Sequence, residues 1–357
     1  MSAQTKLRVL FISLKFDYGI SQQGMSYEYV NFFDTLRRMP NVETELFPFD
    51  EVMRKDGRDR MNQQLLERVN VFRPDVCFFF LFTDEIERRT IRAITDAGKT
   101  ITLNWFADDH WRFEEFSRHW APCFQWVVTT DHAAVEKYHR IGLKNVILSQ
   151  WGFNHFLYQR AEVQPDVDVS FVGQTHSNRM QLIDAVAKSG TAVRTWGKGW
   201  PNGRISQEDM IRLYSRSRIN LNFTESSTKL GMKSLVKLAL SRRADDTYHL
   251  KPFSAIVRNI PGLFTPNPAQ IKGRNFEIPG SGGFLLTEHA EGIEKFFVPG
   301  REIGTFCSQD ELCEKIHYFL KNTEEREAVR LAGYHRALRD HTFQKRFDEI
   351  FRVVLAG

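Results

Sequence analysis

The residues of this chain that are best suited to bind a ligand are 272–287, which read KGRNFEIPGSGGFLLT. A basic pair, Lys272 and Arg274, precedes a single acid, Glu277, and a Pro/Gly-rich turn that leads into an apolar strand. A helix that starts at Glu277 would present free backbone N–H groups, which suit a diphosphate, beside a carboxylate able to accept hydrogen bonds from a ribose diol. Three glycines would let the backbone approach a ligand closely: Gly280, Gly282 and Gly283. The alternative is a purely structural turn.

The elements that must position this segment alternate between strands and helices. Apolar runs predict six strands in the first half: 7–14, 42–49, 75–82, 100–106, 125–130 and 145–150. The pattern restarts at residue 167 with five further strands: 167–173, 192–197, 218–223, 282–287 and 303–306. Helical stretches separate most of these strands, so we predict an α/β protein with two Rossmann-like doubly wound domains. Ligands of such sheets bind beyond the carboxyl ends of the strands, which favours a cleft between the domains.

The last predicted helix, 342–357, has a single apolar face. Its members are spaced as one helical stripe: Phe343, Phe347, Ile350, Phe351 and Val354.

Size and composition exclude several classes of protein. The chain has 357 residues, of which 42% are hydrophobic and 26% charged, a balance that is typical of globular proteins and argues against disorder and coiled coil. No apolar run approaches a membrane span, and the amino terminus has no cleavage site typical of a signal peptide. Four cysteines without CxxC spacing argue against a zinc site and predict a reducing, cytoplasmic setting.

From Arg274 to Arg346 the sequence resembles the C-terminal module of two-domain GT-B glycosyltransferases. The branch it resembles is that of spore-maturation glycosyltransferases, relatives of glycosyltransferase family 4. The matching stretches are RNFEIPGSGGFLLTE, EKFFVPGREIGTF, SQDELCEKIHYFLKNTEERE and AGYHRALRDHTFQKRF. The resemblance implies a bacterial enzyme of glycan biosynthesis. Its implied domains are an acceptor domain, 1–155, a nucleotide-sugar donor domain, 156–335, and a helical segment, 336–357, that crosses back to the first domain.

The resemblance also implies donor-binding residues. Glu277 would bind the donor ribose and Gly282 would permit the tight turn after it, whereas Ala269 stands where the wider superfamily often has a second Glu. In the first loop of the second domain, Gly173 and Arg179 occupy places that face the donor diphosphate. Gln174 replaces the usual Arg there, and Arg274 or Lys229 would supply the missing charge. From the sequence pattern alone, Arg179 could equally be a solvated residue at the start of a helix.

In the first domain, the stretch WFADDHW, 105–111, ends a strand with two acids and a histidine. An acceptor-side base would lie there, so Asp108 and Asp109 are the candidate catalytic residues, with His110 beside them. The alternative is a solvated pair that caps a helix. The loop 17–26 would face the same cleft, where Gly19 and Gly24 either allow close approach of the sugar or serve only the turn.

The positive charge is concentrated in one segment. The chain has 49 Lys and Arg against 44 Asp and Glu, a net charge of +5, and residues 225–274 hold nine of the basic and three of the acidic residues. We interpret residues 225–272 as a basic insertion in the donor domain, in which 228–243 fits an amphipathic helix. That helix would be a packed surface helix, or it would contact an anionic acceptor or the inner membrane face. Nucleic acid is an unlikely partner because the rest of the chain is slightly acidic.

The resemblance implies a metal-independent glycosyltransferase that retains the anomeric configuration and needs no cofactor besides its nucleotide-diphosphate sugar. Its acceptor would be a glycan, a lipid-linked group or a protein. Two alternatives stay open: a nucleotide-sugar epimerase of the same fold, and a nucleotide-sugar-binding protein without transfer activity. The DVD stretch, 166–168, resembles a metal-binding DxD motif. Because it starts a strand and its two Asp residues flank an inward Val, we do not expect it to bind a metal.

Overall fold

The computed structural model describes residues 6–175, 177–224, 240–250 and 269–356. The chain divides into two compact units. Among the described residues, the first unit holds 6–150, 240–250 and 346–356, and the second holds 151–175, 177–224 and 269–345.

The first unit is built on a six-stranded parallel sheet with the order β2-β1-β3-β4-β5-β6. Its strands are β1 Leu7–Ser13, β2 Val42–Pro48, β3 Val76–Phe79, β4 Ile101–Phe106, β5 Trp126–Thr129 and β6 Val146–Leu148. Its helices are α1 Asp34–Arg38, α2 Phe49–Asp56, α3 Arg58–Phe72, α4 Arg88–Asp96, α5 Asp109–Arg112, α6 Arg118–Trp120 and α7 His132–Arg140. Two π-helical turns, Tyr29–Phe33 and Phe113–Ser117, adjoin them. The central strand β3 is wholly buried, as its uninterrupted apolar run predicts for a sheet covered on both faces.

The second unit contains a five-stranded parallel sheet with the order β13-β12-β9-β7-β8. Its strands are β7 Val167–Val172, β8 Val193–Trp196, β9 Ser217–Asn222, β12 Leu285–Glu288 and β13 Gly304–Phe306. Its helices are α8 Ser177–Lys188, α9 Gln207–Arg216, α10 Arg274–Gly280, α11 Gln309–Lys321 and α12 Thr323–Asp340. The predicted fold class is confirmed: each unit is a Rossmann-like parallel sheet. In both sheets the order reverses between the first and third strands of the unit, which places a topological switch point between β1 and β3 and another between β7 and β9.

The last helix, α13, spans Phe343–Ala356, and its residues from 346 onward belong to the first unit. Phe347 packs edge-on against Phe78 at 5.8 Å and lies 5.3 Å from the ring of Phe32. The predicted apolar stripe is buried throughout: Phe343, Phe347, Ile350, Phe351 and Val354.

A short antiparallel hairpin departs from the sequence-based prediction. Its strands are β10 Leu240–Arg242 and β11 Tyr248–Leu250, and it belongs to the first unit. The assignment of the whole insertion 225–272 to the donor domain is therefore wrong for 240–250. The predicted helix over 228–243 is also wrong at its described end, because 240–242 form a strand; residues 228–239 lie outside the described residues.

Candidate functional site

The candidate donor site lies at the β7/β9 switch point of the second unit. Arg179, in the first turn of α8, extends back over the loop that follows β7: its Nη1 donates to the Gln174 carbonyl at 2.9 Å and its Nη2 to the Phe223 carbonyl at 3.4 Å. The guanidinium carbon lies 5.6 Å from the Phe171 ring centroid. Its Nε is buried and has no hydrogen-bond partner within the described chain. Burial also lowers the pKa of Arg179, as expected where a cation is desolvated without a full set of acceptors.

The loop 173–175 is held by the neighbouring loop 197–203. The Gly173 N–H donates to the Trp196 carbonyl at 2.8 Å, and the Trp200 indole N–H donates to the Gly173 carbonyl at 2.9 Å. A Cβ on Gly173 would lie 2.7 Å from the Phe171 ring, so a larger residue there would have to displace that ring. Gly173 therefore shapes the loop that carries the predicted anion site. Gln174, where the resemblance expects a cation, is exposed and contributes its carbonyl to Arg179.

A second cation joins Arg179 at this point. Lys272, which comes just before α10, places its Nζ 3.4 Å from the same Phe223 carbonyl. Two positive groups therefore converge on one carbonyl at the end of β9. Lys272 was visible in the sequence as part of a basic pair, but no pattern singled it out.

A buried amide network fixes the start of α10 beneath these cations. Asn275 Oδ1 accepts the Lys272 N–H at 2.9 Å, and its Nδ2 donates to Thr287 Oγ1 at 3.1 Å. Asn222 Nδ2 donates to the same hydroxyl at 3.0 Å. Because all three side chains are buried, the network ties α10 to the ends of β9 and β12.

The structure changes the expected role of Glu277. The helix begins at Arg274, so Glu277 is its fourth residue, and the N–H groups of Asn275, Phe276 and Glu277 are bonded to the carbonyls of Lys272 and Gly273. The prediction that a helix start at Glu277 offers free N–H groups is therefore wrong.

The carboxylate of Glu277 forms an ion pair with Arg274 and has no exposed surface, whereas the Arg274 side chain is 30% exposed. Tyr158 and Tyr214 are both buried, and burial raises the pKa of each phenol. The nearby carboxylate of Glu277 raises both pKa values further. Glu277 Oε1 has no hydrogen-bond partner within the described residues. Arg274 is thus the member of the pair that reaches solvent, and Glu277 holds it.

The glycines of the turn lie at the opposite edge of the sheet. The Ser281 carbonyl accepts a hydrogen bond from Ser215, just before β9, and a Cβ on Gly283 would lie 2.8 Å from the Tyr214 carbonyl. Gly282 has a φ of +71°, and a Cβ there would meet the Arg160 side chain at 2.7 Å. This placement gives both glycines a role in the turn at the amino ends of the strands, away from the carboxyl edge where Arg179 lies. Lys229, a further candidate cation, lies outside the described residues.

In the first unit, Asp109 does not occupy a position suited to a base. Its side chain is fully buried, and its Oδ2 accepts the Thr129 hydroxyl at 2.6 Å and the Tyr138 hydroxyl at 2.8 Å. Burial raises its pKa to about 6, although the hydroxyls that bond to it oppose this shift. We therefore correct the catalytic prediction for Asp109 and assign it to the packing of α5 on β5 and α7.

Asp108 is placed differently from its neighbour. It follows β4 and occupies the N-cap position of α5, but its half-buried carboxylate makes no capping hydrogen bond. Glu28, also half-buried, has a pKa raised to about 7, chiefly by burial, and Asp17 and Asp108 each add to the effect. Asp17 and Asp108 thus both lie near Glu28. His110, the second residue of α5, is half-buried. Nothing in the local sequence distinguishes Glu28, because it follows a polar loop without a motif.

Gly19 and Gly24, the two loop glycines, are not equivalent. Both have positive φ, +72° and +88°. A Cβ on Gly19 would lie 2.2 Å from the Ala244 carbonyl of the hairpin, while a Cβ on Gly24 would meet nothing within 4 Å. Gly19 is therefore required by a close contact as well as by its backbone conformation.

Among the described residues, no group of three or more His, Cys, Asp or Glu side chains is arranged to hold a metal ion. Within the same residues, no helix combines the length and apolar character needed to cross a membrane.

Comparison with known proteins places these features in a fold family. Residues 179–352 match the family model described as glycosyl transferase-like, so this part of the chain carries a glycosyltransferase-like domain. No curated protein matches the sequence.

Solved structures match over almost the whole chain. A glycosyltransferase from Rickettsia africae shares 11% identity at a TM-score of 0.60, covering 98% of this chain and 99% of that one. Anabaena HepE in complex with UDP-glucose shares 12% identity at a TM-score of 0.61, covering 98% and 100%. Sucrose-phosphate synthase from Thermosynechococcus elongatus shares 9% identity at a TM-score of 0.61, with the same coverage. At these identities the likeness establishes the fold alone: two Rossmann-like units arranged in sequence as in GT-B glycosyltransferases.

Proposed function

We propose that this protein is a glycosyltransferase that moves a sugar from a nucleotide-diphosphate sugar to an acceptor hydroxyl. The observation that carries the proposal is the convergence of Arg179 and Lys272 on the Phe223 carbonyl, at the switch point where α8 begins. A helix start and two cations at this edge form an anion site of the kind that a diphosphate fills. The glycosyltransferase-like domain over 179–352 supports this reading.

The donor in this proposal is a UDP-sugar, since Anabaena HepE of the same fold was crystallised with UDP and with UDP-glucose. Arg179 and Lys272 stabilise the negative charge that develops on the leaving diphosphate, and Arg274 extends the positive field. These side chains supply the charge that a divalent ion supplies in other transferases, so we propose a metal-independent reaction. Retention of the anomeric configuration and a ribose contact near Glu277 follow from the resemblance to family 4. The four unpaired cysteines support action in the cytosol.

The acceptor binds the first unit in this proposal. Asp108 orients the attacking hydroxyl, and Glu28 serves as the group that takes its proton, because a pKa near 7 lets it exchange a proton at neutral pH. Glu28→Gln and Asp108→Ala should then leave UDP affinity unchanged and lower transfer, with the rate of the parent enzyme falling below about pH 7.

The deciding experiment measures UDP binding by isothermal titration calorimetry with and without EDTA. Arg179→Ala and Lys272→Ala should each weaken binding about tenfold or more, since a charge-assisted hydrogen bond contributes about 1.5–3 kcal/mol. Arg212→Ala is the matched control because Arg212 lies in the same unit in an exposed i,i+4 pair with Glu208.

Transfer is then tested with a panel of UDP-sugars and acceptors. Unchanged UDP affinity in both variants would remove the donor site from this edge. Product from the donor alone would indicate an epimerase, and binding without turnover would indicate a nucleotide-sugar-binding protein.

A further inference from the structure

The hairpin Leu240–Leu250 lies in sequence between β9 and β12 of the second unit, yet it is built into the first. Ala244, at its turn, has no exposed surface and belongs to the apolar core of the first unit. By contrast, Tyr248 and Leu250 on its second strand are 65% and 74% exposed. The hairpin is therefore anchored at its turn.

The anchor on one side is a pair of acids that follow β3. Arg243 makes a fork with Asp84, with Nε–Oδ1 at 2.8 Å and Nη2–Oδ2 at 2.7 Å. The Ala244 N–H donates to Oε1 of Glu85 at 3.1 Å, and Glu85 is fully buried. A fork of two parallel hydrogen bonds fixes direction as well as distance. The hairpin is thus seated in one orientation at the carboxyl edge of the first sheet.

The anchor on the other side is the loop Asp17–Gly24 that follows β1. Arg54 Nη2 lies 2.8 Å from the Gly19 carbonyl and 2.9 Å from the Ala244 carbonyl, so one guanidinium joins loop to hairpin. Arg242 Nη1 donates to the Tyr18 carbonyl at 3.3 Å. A Cβ at Gly19 would collide with Ala244, which shows how closely the two backbones approach.

The loop consists of two short turns, Asp17–Gly19 and Ser21–Gln23, and is closed by the Asp17 N–H, which donates to the Gly24 carbonyl at 3.0 Å. Its hydrogen bonds include short-range ones such as Gly19 N–H to the Phe16 carbonyl and Ile20 N–H to the Asp17 carbonyl. Tyr18 has a φ of 53°, a conformation that side chains other than glycine adopt rarely. Short turns built from local hydrogen bonds open readily unless tertiary contacts hold them.

We infer that the hairpin 240–250 is a positioning element that holds the loop Asp17–Gly24 and so sets how the acceptor is bound. The loop leads into Glu28 and carries Asp17, and Asp17 and Asp108 both lie near Glu28. The part of this inference that concerns the acceptor rests on the proposed function. The docking of the hairpin on the loop does not.

The test of docking is hydrogen–deuterium exchange on the full chain. Arg54→Ala should speed exchange at the Gly19 and Ile20 amides by roughly three- to tenfold, the loss expected for charge-assisted hydrogen bonds made by a partly exposed side chain. Lys55→Ala, an exposed lysine on the same helix, is the matched control. Arg243→Ala should have the same effect through the hairpin and should also speed exchange in 240–250. Unchanged exchange in both variants would overturn the inference.

A second pair of variants separates contact from backbone strain. Gly19→Ala and Gly24→Ala both place a side chain at positive φ, but only the first adds a clash with Ala244. Faster exchange in 240–250 for Gly19→Ala alone supports the contact. Equal behaviour of the two variants would count against it.

The functional arm compares acceptor KM with UDP affinity. Arg54→Ala and Arg243→Ala should raise acceptor KM several-fold while the Kd for UDP stays within twofold. Arg243→Lys should raise acceptor KM less than Arg243→Ala does, but it should not reach the parent value because lysine cannot form the fork. Faster exchange with an unchanged acceptor KM would refute the positioning role. If the parent protein transfers no sugar, the proposed function fails, and the exchange data still decide the docking.

Discussion

Replacing Glu277 by alanine should cost the second unit much of its stability. The carboxylate has no exposed surface and is paired with Arg274, so the substitution leaves a largely buried guanidinium without its counter-ion. Breaking one partner of a buried pair costs about 3–5 kcal/mol. Because the Arg274 side chain retains 30% exposure and water will solvate part of it, we expect the lower end, about 3 kcal/mol. At 2–4 °C per kcal/mol for a unit of this size, the melting temperature should fall by roughly 6–12 °C.

Urea unfolding at pH 7, followed by tryptophan fluorescence, measures this loss. Glu277→Gln keeps the shape and one acceptor oxygen, so its loss should be smaller. Glu208→Ala, an exposed acid of the same unit, should change stability by less than about 0.5 kcal/mol. In a cycle with Arg274→Met, the double variant should be more stable than the sum of the single losses predicts. A loss below about 1 kcal/mol for Glu277→Ala would refute the view that this pair holds α10 in place.

Two further predictions concern groups that the structure takes out of the reacting site. Burial raises the pKa of Asp109 to about 6, so the folded state binds its proton more tightly than the unfolded state does, and this group's contribution to stability is lost as pH rises from about 4 to 6. The stability of Asp109→Asn relative to the parent protein should therefore rise by about 2 kcal/mol between pH 4 and pH 7, measured by urea unfolding. A pH-independent difference would contradict the assignment. Gly283→Ala should destabilise by about 2 kcal/mol or more because its Cβ would lie 2.8 Å from a backbone carbonyl, and Gly300→Ala, which has positive φ but open space, should cost less. Equal melting temperatures for the two variants would show that the turn relaxes freely.

The sheets could be predicted from the sequence because buried parallel strands leave long apolar runs. The hairpin could not, since its strands have three residues each and expose Tyr248 and Leu250. The contact that anchors it joins Arg243 to Asp84, which are 159 residues apart. No local pattern encodes such a pairing.

The candidate site shows the same limit. Asp108 and Asp109 are indistinguishable as neighbours in sequence, and the choice between them is made by hydroxyls 20 and 29 residues further on. Lys272 and Arg274 likewise read as one basic pair. The fold separates them, because Glu277 engages Arg274 while Lys272 reaches the end of β9.

The path of α13 has a consequence for how the protein is made. Phe347 and Phe351 complete an aromatic cluster with Phe32 and Phe78, yet they leave the ribosome only after the whole second unit. At 5–20 residues per second, the first unit waits roughly 10–40 s with this surface uncovered. During that interval the nascent chain offers an apolar patch to chaperones, and a truncation before residue 346 would make that exposure permanent.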